Sequence, residues 1–146
     1  MLNFKTFFPK SNFNQYHNEF VANFLFAHLE EYGDKIEDIY KAIDYAVINS
    51  ELPGGFILQA LENETTVGIV VVNSTGMSGY IPENILVYIA VDRRFRGKGY
   101  GKQLMQKAIE LCNGDVALHV EKENPARFLY EKVGFTNPYL EMRYKK

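Results

Sequence analysis

The chain has 146 residues, 47% of them hydrophobic and 23% charged, the proportions of one ordinary globular domain; they exclude a disordered tail, a collagen-like repeat or a low-complexity scaffold. The net charge of −2 divides unevenly: residues 1–84 carry four Lys or Arg against eleven Asp or Glu, a balance of −7, and residues 85–146 carry twelve against seven, a balance of +5. A continuous basic face for nucleic acid is therefore absent, while the second half can still hold a small, highly charged anion.

Leu2–Phe8 reads as a short strand stopped by Pro9, with Ser11 or Asn12 offering the cap of a following helix. Phe13, Phe20, Phe24 and Leu25 recur at helical spacing up to Leu29. A second helix is predicted from Asp34, which forms a capping-box pair with Glu37, through Ile36, Ile39, Ile43 and Val47, ending before Pro53-Gly54-Gly55. Phe56–Leu61 and Thr66–Val72 flank the polar turn Glu62-Asn63-Glu64-Thr65 and read as a hairpin. Asn73–Glu83 is loop. Ile85–Val91 is an apolar run suited to a central strand buried on both faces. After a glycine-rich turn come a helix from about Gly101 to Cys112, closed by Asn113-Gly114, and a strand over Val116–Val120. Asn124 and Pro125 sit at cap and first-turn positions of a helix ending at Gly134, and Tyr139–Tyr144 reads as a last strand. The order gives an α/β chain whose first half is antiparallel and whose second half contains one strand–helix–strand crossover, hence a mixed sheet.

No run approaches the roughly 18 apolar residues of a membrane span, and Met1-Leu2-Asn3-Phe4-Lys5 lacks the apolar block of a signal peptide, so the expectation is a soluble, cytoplasmic protein. Cys112, the one cysteine, is expected to be a small buried residue near a helix end. His17, His28 and His119 have no ligand-like spacing, and no metal is expected. The aromatic residues between Phe4 and Phe26 fit core packing, with an acceptor-pocket wall as the other use. Glu30, Glu31, Asp34, Glu37 and Asp38 fit a solvated helix junction.

The most informative segment is Arg96-Gly97-Lys98-Gly99-Tyr100-Gly101-Lys102. Glycines at alternate positions let the backbone approach a ligand and point successive N–H groups into one concavity, to which a helix N-terminus adds partial positive charge. Arg93, Arg94, Arg96, Lys98 and Lys102 are expected to surround it, an arrangement suited to a pyrophosphate. The ATP-type loop does not fit, since only three residues separate Gly97 from Gly101 and Gln103 follows Lys102. In the dinucleotide fingerprint, Lys102 would take the last glycine's place.

Arg96-Gly97-Lys98-Gly99-Tyr100-Gly101 resembles the acetyl-CoA signature of the GNAT superfamily of N-acetyltransferases. Asn124-Pro125-Ala126-Arg127-Phe128-Leu129-Tyr130-Glu131-Lys132-Val133-Gly134-Phe135 is similar to the family's later helix. The resemblance implies a single domain over 1–146, with 1–53 as the variable N-terminal helical segment and 54–146 as the core. It implies a mixed, mostly antiparallel sheet flanked by helices, with a parallel strand pair splayed at the acetyl-CoA site. It further implies that backbone at Ile89, Ala90 and Val91 meets the pantetheine arm and that Arg96 to Lys102 cradle the pyrophosphate. Asn124 would bond the pantetheine, or else serve as a plain helix cap.

Tyr130 matches the family's general acid, and a phenol near pKa 10 is still protonated when a thiolate leaves. For the base, His119 occupies a family position for a Glu; Glu83 and deprotonation through waters remain alternatives. The activity implied is transfer of an acetyl group from acetyl-CoA to a primary amine by direct attack in a ternary complex. A CoA-binding module without catalysis is the alternative. A small-molecule or peptide amine, cationic if the acidic half faces it, would be the partner, and the resemblance allows a homodimer, since paired subunits are common in the family.

Overall fold

A computed structural model describes all 146 residues. The first strand, β1 (Asn3–Phe7), leads to helix α1 (Gln15–Leu29). The cap of α1 is Asn14 rather than Ser11 or Asn12: its Oδ1 accepts from the His17 N–H at 3.1 Å, and His17 Nδ1 accepts from the Asn14 N–H at 3.1 Å, a reciprocal capping box with a histidine in the usual Glu position. A 3₁₀ turn (Glu30–Tyr32) connects to α2 (Ile36–Ile43), which continues as a π-turn to Ile48. Asp34 does not cap α2. Its carboxylate accepts from the Tyr88 hydroxyl instead, and the helix starts one residue beyond Lys35 with Glu37 and Asp38 in its first turn, where carboxylates favour the helix dipole.

Strands β2 (Gly55–Glu62) and β3 (Thr65–Ser74) form the expected hairpin. Asn63 and Glu64 both take positive φ, 48° and 67°, which matches the twist a two-residue hairpin turn needs. Then follow β4 (Asn84–Val91), α3 (Tyr100–Leu111), β5 (Val116–Ala117) and α4 (Ala126–Val133). The sheet order is β1-β2-β3-β4-β5, antiparallel except for the final β4-β5 pair.

One core lies between the sheet and α1 and α2, built on Leu25, Ile39, Ile43, Ile57, Ile69 and Val71. The other lies between the sheet and α3 and α4, built on Leu58, Val67, Val70, Leu104, Met105 and Tyr130. At Gly68 a Cβ would stand 2.8 Å from Leu104 Cδ2, so its absence lets α3 lie against β3. The strand buried on both faces is β3, from Val67 to Val72; β4 alternates between buried and half-buried positions, which corrects the expectation for the Ile85–Val91 run. The aromatic residues of the N-terminal segment divide: Phe7 and Phe24 are in the core, while Phe8, Tyr16 and Phe26 are exposed.

Two further expectations fail. The strand predicted over Val116–Val120 ends at Ala117 because its partner bends away, as described below. Tyr139–Tyr144 forms no strand: with β5 only two residues long there is no ladder to join, and Tyr139, Leu140, Met142 and Tyr144 stand exposed.

Candidate active site

The register between β3 and β4 slips by one residue. Val71 faces Tyr88 and Val72 faces Leu86, leaving Val87 as an extra residue. Such a bulge bends its strand and turns side chains over: Leu86 packs on the α3 side, whereas Val87, Tyr88 and Ala90 pack on the α1 side. Before the bulge, Asn84 and Ile85 pair with Val116 and Ala117; past it, β4 has no neighbour on that side. The parallel strands therefore part at Leu86. Ile89, Ala90 and Val91 pair with Val70, Ile69 and Gly68 of β3, and their other edge is open, as required for an extended ligand arm to lie along it.

This edge runs into the glycine-rich turn. Gly97 and Gly99 have φ of 82° and 80°, and a Cβ at either would meet nothing within 4 Å. Backbone conformation, not crowding, requires glycine there, and the space in front of the turn is open. Gly101 serves packing: a Cβ would come within 3.2 Å of Leu129 Cδ2 on α4. The N–H groups of Gly97, Lys98, Gly99, Tyr100, Gly101 and Lys102 donate to no acceptor in the chain; the next amide, Gln103 N–H, is the first to bond, to Gly99 O at 3.2 Å. Six successive free donors at the head of a 12-residue helix form a concavity for an anion.

The five basic side chains expected around it divide. Arg94 pairs with Asp92 at 2.8 Å, Arg93 with Glu30 at 3.6 Å and Arg96 with Glu30 at 3.2 Å. Arg96 also donates to Val91 O at 3.1 Å and His28 O at 2.8 Å. These arginines tie the turn to the rest of the protein rather than lining the concavity with unpaired charge. Lys98, 5.4 Å from the Phe95 ring and 6.0 Å from that of Tyr100, and Lys102 are left without a carboxylate partner. Tyr100 bonds Glu62 at the tip of the β2–β3 hairpin. The Arg94 guanidinium holds the buried Asp92 carboxyl down to about 2 against the opposing effect of burial.

Asn124 Oδ1 accepts from the Ala126 N–H at 2.9 Å, which caps α4, and its Nδ2 has no partner in the chain. Tyr130 is 9% exposed, with its ring edge-on to Phe135 at 6.2 Å. Its hydroxyl bonds no protein group, and burial pushes the phenol above its ordinary pKa. His119 is exposed and lies past the end of β5, so strand alternation does not set its direction. Glu83 lies at the other end of β4 from the glycine-rich turn. Bonds from the Asp115 N–H at 2.8 Å and the Gly79 N–H at 3.4 Å fix its carboxylate, and such backbone bonds hold it below the usual range. Cys112 is half-buried, and burial raises its thiol to about 11, as an inert residue at the end of α3 should be.

Two features on the α1 side were not legible as site residues. Tyr88, the one polar side chain within the apolar run, donates to Asp34 Oδ2 at 2.5 Å and so fastens the α1–α2 connection to β4 just past the bulge. Around Tyr32, burial together with Glu31, Glu121 and Glu123 pushes the phenol pKa up. Carboxylates from the α1–α2 connection and from the segment before α4 thus act on the same side chain.

A model of the GNAT acetyltransferase family matches residues 13–135, and the chain belongs to that family. It is 33% identical over 91 residues, 60% of its own length, to [Ribosomal protein bS18]-alanine N-acetyltransferase of Haemophilus influenzae; the match spans 59% of that protein's length, less than two thirds. Among solved structures, a possible acetyltransferase from Clostridium difficile 630 superposes with a TM-score of 0.71 at 17% identity, covering 100% of this chain and 97% of that one. An aminoglycoside N-acetyltransferase, AAC(6')-Iy, in complex with CoA gives 0.68 at 16% identity, covering 100% and 95%. At these identities the structures establish the shared fold.

Proposed function

We propose that the protein is an acetyl-CoA-dependent N-acetyltransferase acting on a primary amine in a ternary complex. The observation that carries this reading is the row of six free N–H groups from Gly97 to Lys102, contiguous with the open edge of β4. The concavity suits a pyrophosphate and the edge suits an amide-bearing arm, which together fit CoA. Ile89, Ala90 and Val91 would present backbone groups to the arm. The Nδ2 of Asn124 would donate to it while Oδ1 keeps its place in the cap.

Bound acetyl-CoA supplies an activated acyl carbon and a sulfur leaving group. The chain's part is to orient, to hold protons and to accept them. Tyr130 would hold a proton at its hydroxyl for the departing sulfur: burial keeps the phenol protonated at neutral pH, and no protein acceptor competes for it. The amine must lose a proton before or during attack, and the exposed His119 would accept it, directly or through water. Glu83, held by Asp115 and Gly79 at the far end of β4, is the weaker base. The carboxylates of Glu31, Asp34, Glu121 and Glu123 favour an acceptor carrying positive charge. The similarity to an enzyme that modifies the alanine of a ribosomal protein supports a peptide N-terminus among the acceptors to try.

The reading is tested by release of free thiol from acetyl-CoA across a panel of small amines, polyamines and peptides. Thiol release dependent on one class of amine, with that amine acetylated, is the expected result. Tight CoA binding with no turnover on any amine would favour a non-catalytic CoA-binding module instead.

A further inference from the structure

We infer that Glu30 is a positioning residue for the pyrophosphate turn, an inference that rests on the CoA-binding reading above. Glu30 ends α1 with φ 56° and ψ −130°, backbone that glycine adopts freely and a residue with a Cβ adopts only under strain. Its carboxylate is used on the segment that enters the glycine-rich turn: Oε1 takes Arg96 at 3.2 Å and Arg93 at 3.6 Å.

The same arginines reach the carbonyls that α1 leaves unpaired at its end, His28 O at 2.8 Å from Arg96 and Ala27 O at 3.5 Å from Arg93. Arg96 Nε also holds Val91 O, the last carbonyl of β4. One planar guanidinium thus fixes the end of β4, the end of α1 and Glu30 together, immediately before Gly97. A Cβ at Gly97 or Gly99 would meet nothing within 4 Å and their N–H groups bond no acceptor, so on the side where the chain enters the turn the orientation of the N–H groups depends on how Arg93–Arg96 is anchored. A flexible glycine turn needs this anchoring to present its donors without a large ordering cost on binding.

Charge alone makes the opposite prediction. Glu30 is a negative group near an anion site, so removing it should strengthen binding of a pyrophosphate if its only influence were electrostatic. The sign of the effect therefore separates the two accounts.

The experiment is calorimetric titration of CoA into the wild-type protein and into Glu30→Gln, Glu30→Gly and Arg96→Lys, with a melting curve of each free protein. Positioning predicts CoA dissociation constants raised about 3- to 30-fold in all three variants. Glu30→Gly should melt no lower than wild type, because glycine relieves the backbone strain. Arg96→Lys keeps the charge but loses the fork that reaches three acceptors at once. Binding of CoA by Glu30→Gln and Glu30→Gly as tight as wild type, or tighter, overturns the inference. Failure of the wild-type protein to bind CoA at all overturns the functional reading instead, and the two failures are thereby distinguished.

Discussion

Tyr130 packs its ring into the core between the sheet and α3 and α4, while its hydroxyl bonds no protein group and so is free to serve a ligand. Tyr130→Phe keeps the ring and its edge contact with Phe135, so CoA affinity should stay within about twofold while kcat falls by about 100-fold or more, the usual range for loss of a general acid. Unchanged turnover would remove Tyr130 from the reaction. At Gly97, with φ 82°, an alanine would be strained by about 1–2 kcal/mol and would tilt the free N–H groups. Gly97→Ala should weaken CoA by about tenfold, and Lys98→Ala by less, because backbone donors make the cradle; calorimetry of both variants checks the order.

Helix α1 carries two histidines that make the fold sensitive to acid. His17 and His28 both lie on it, and burial holds both below the ordinary imidazole value, with Lys5 adding to the effect at His17 and Asp92 opposing it at His28. Their folded pKa values are below the unfolded ones, so the unfolded chain binds more protons as pH drops below about 6.5. Their contribution to stability is complete above that value and is lost as pH falls through the folded pKa. The His17 capping bond requires an unprotonated Nδ1, which gives the loss a structural site. Melting temperature should fall from pH 7 to pH 5, and a His17→Asn, His28→Gln double variant should fall less; equal slopes would contradict this. Asp92, held at about 2, adds its own loss only in a lower window, below about pH 4.

At this scale, local pattern was legible in the sequence where it is self-sufficient and failed where tertiary geometry intervenes. The hairpin at Asn63-Glu64 and the α3 and α4 helices follow from turn and capping chemistry. The bulge at Val87 has no sequence mark, yet it bends β4, shortens β5 and leaves Leu118–Val120 without a partner. Asp34 looked like a cap because capping-box spacing is local; its hydroxyl partner Tyr88 is 54 positions away. The glycine row was legible because it encodes backbone conformation, whereas the use of Arg93, Arg94 and Arg96 as anchors was not, because their partners Glu30 and Asp92 are recognised only in three dimensions.

For the whole molecule, the uneven charge of the two halves acquires a structural meaning. Part of it is internal: Glu30 from the acidic half binds Arg93 and Arg96 from the basic half and joins α1 to the glycine-rich turn. Lys98 and Lys102 flank the free N–H row without a carboxylate partner, and Glu31, Asp34, Glu121 and Glu123 are the carboxylates the proposed reading assigns to a cationic acceptor. Asp34→Asn combined with Glu31→Gln should raise KM for a cationic acceptor several-fold at low salt and much less at high salt, since exposed charges are screened. KM for acetyl-CoA should not change; steady-state kinetics at two ionic strengths would show it. The central claim is that the cradle and open strand edge bind acetyl-CoA for transfer to an amine. Free-thiol release measured across the amine panel, with product mass determined in the same reactions, tests it most directly. The account predicts amine-dependent thiol release matched one to one by a product 42 Da heavier. Absence of both for every amine, with no shift in melting temperature on adding CoA, would contradict it.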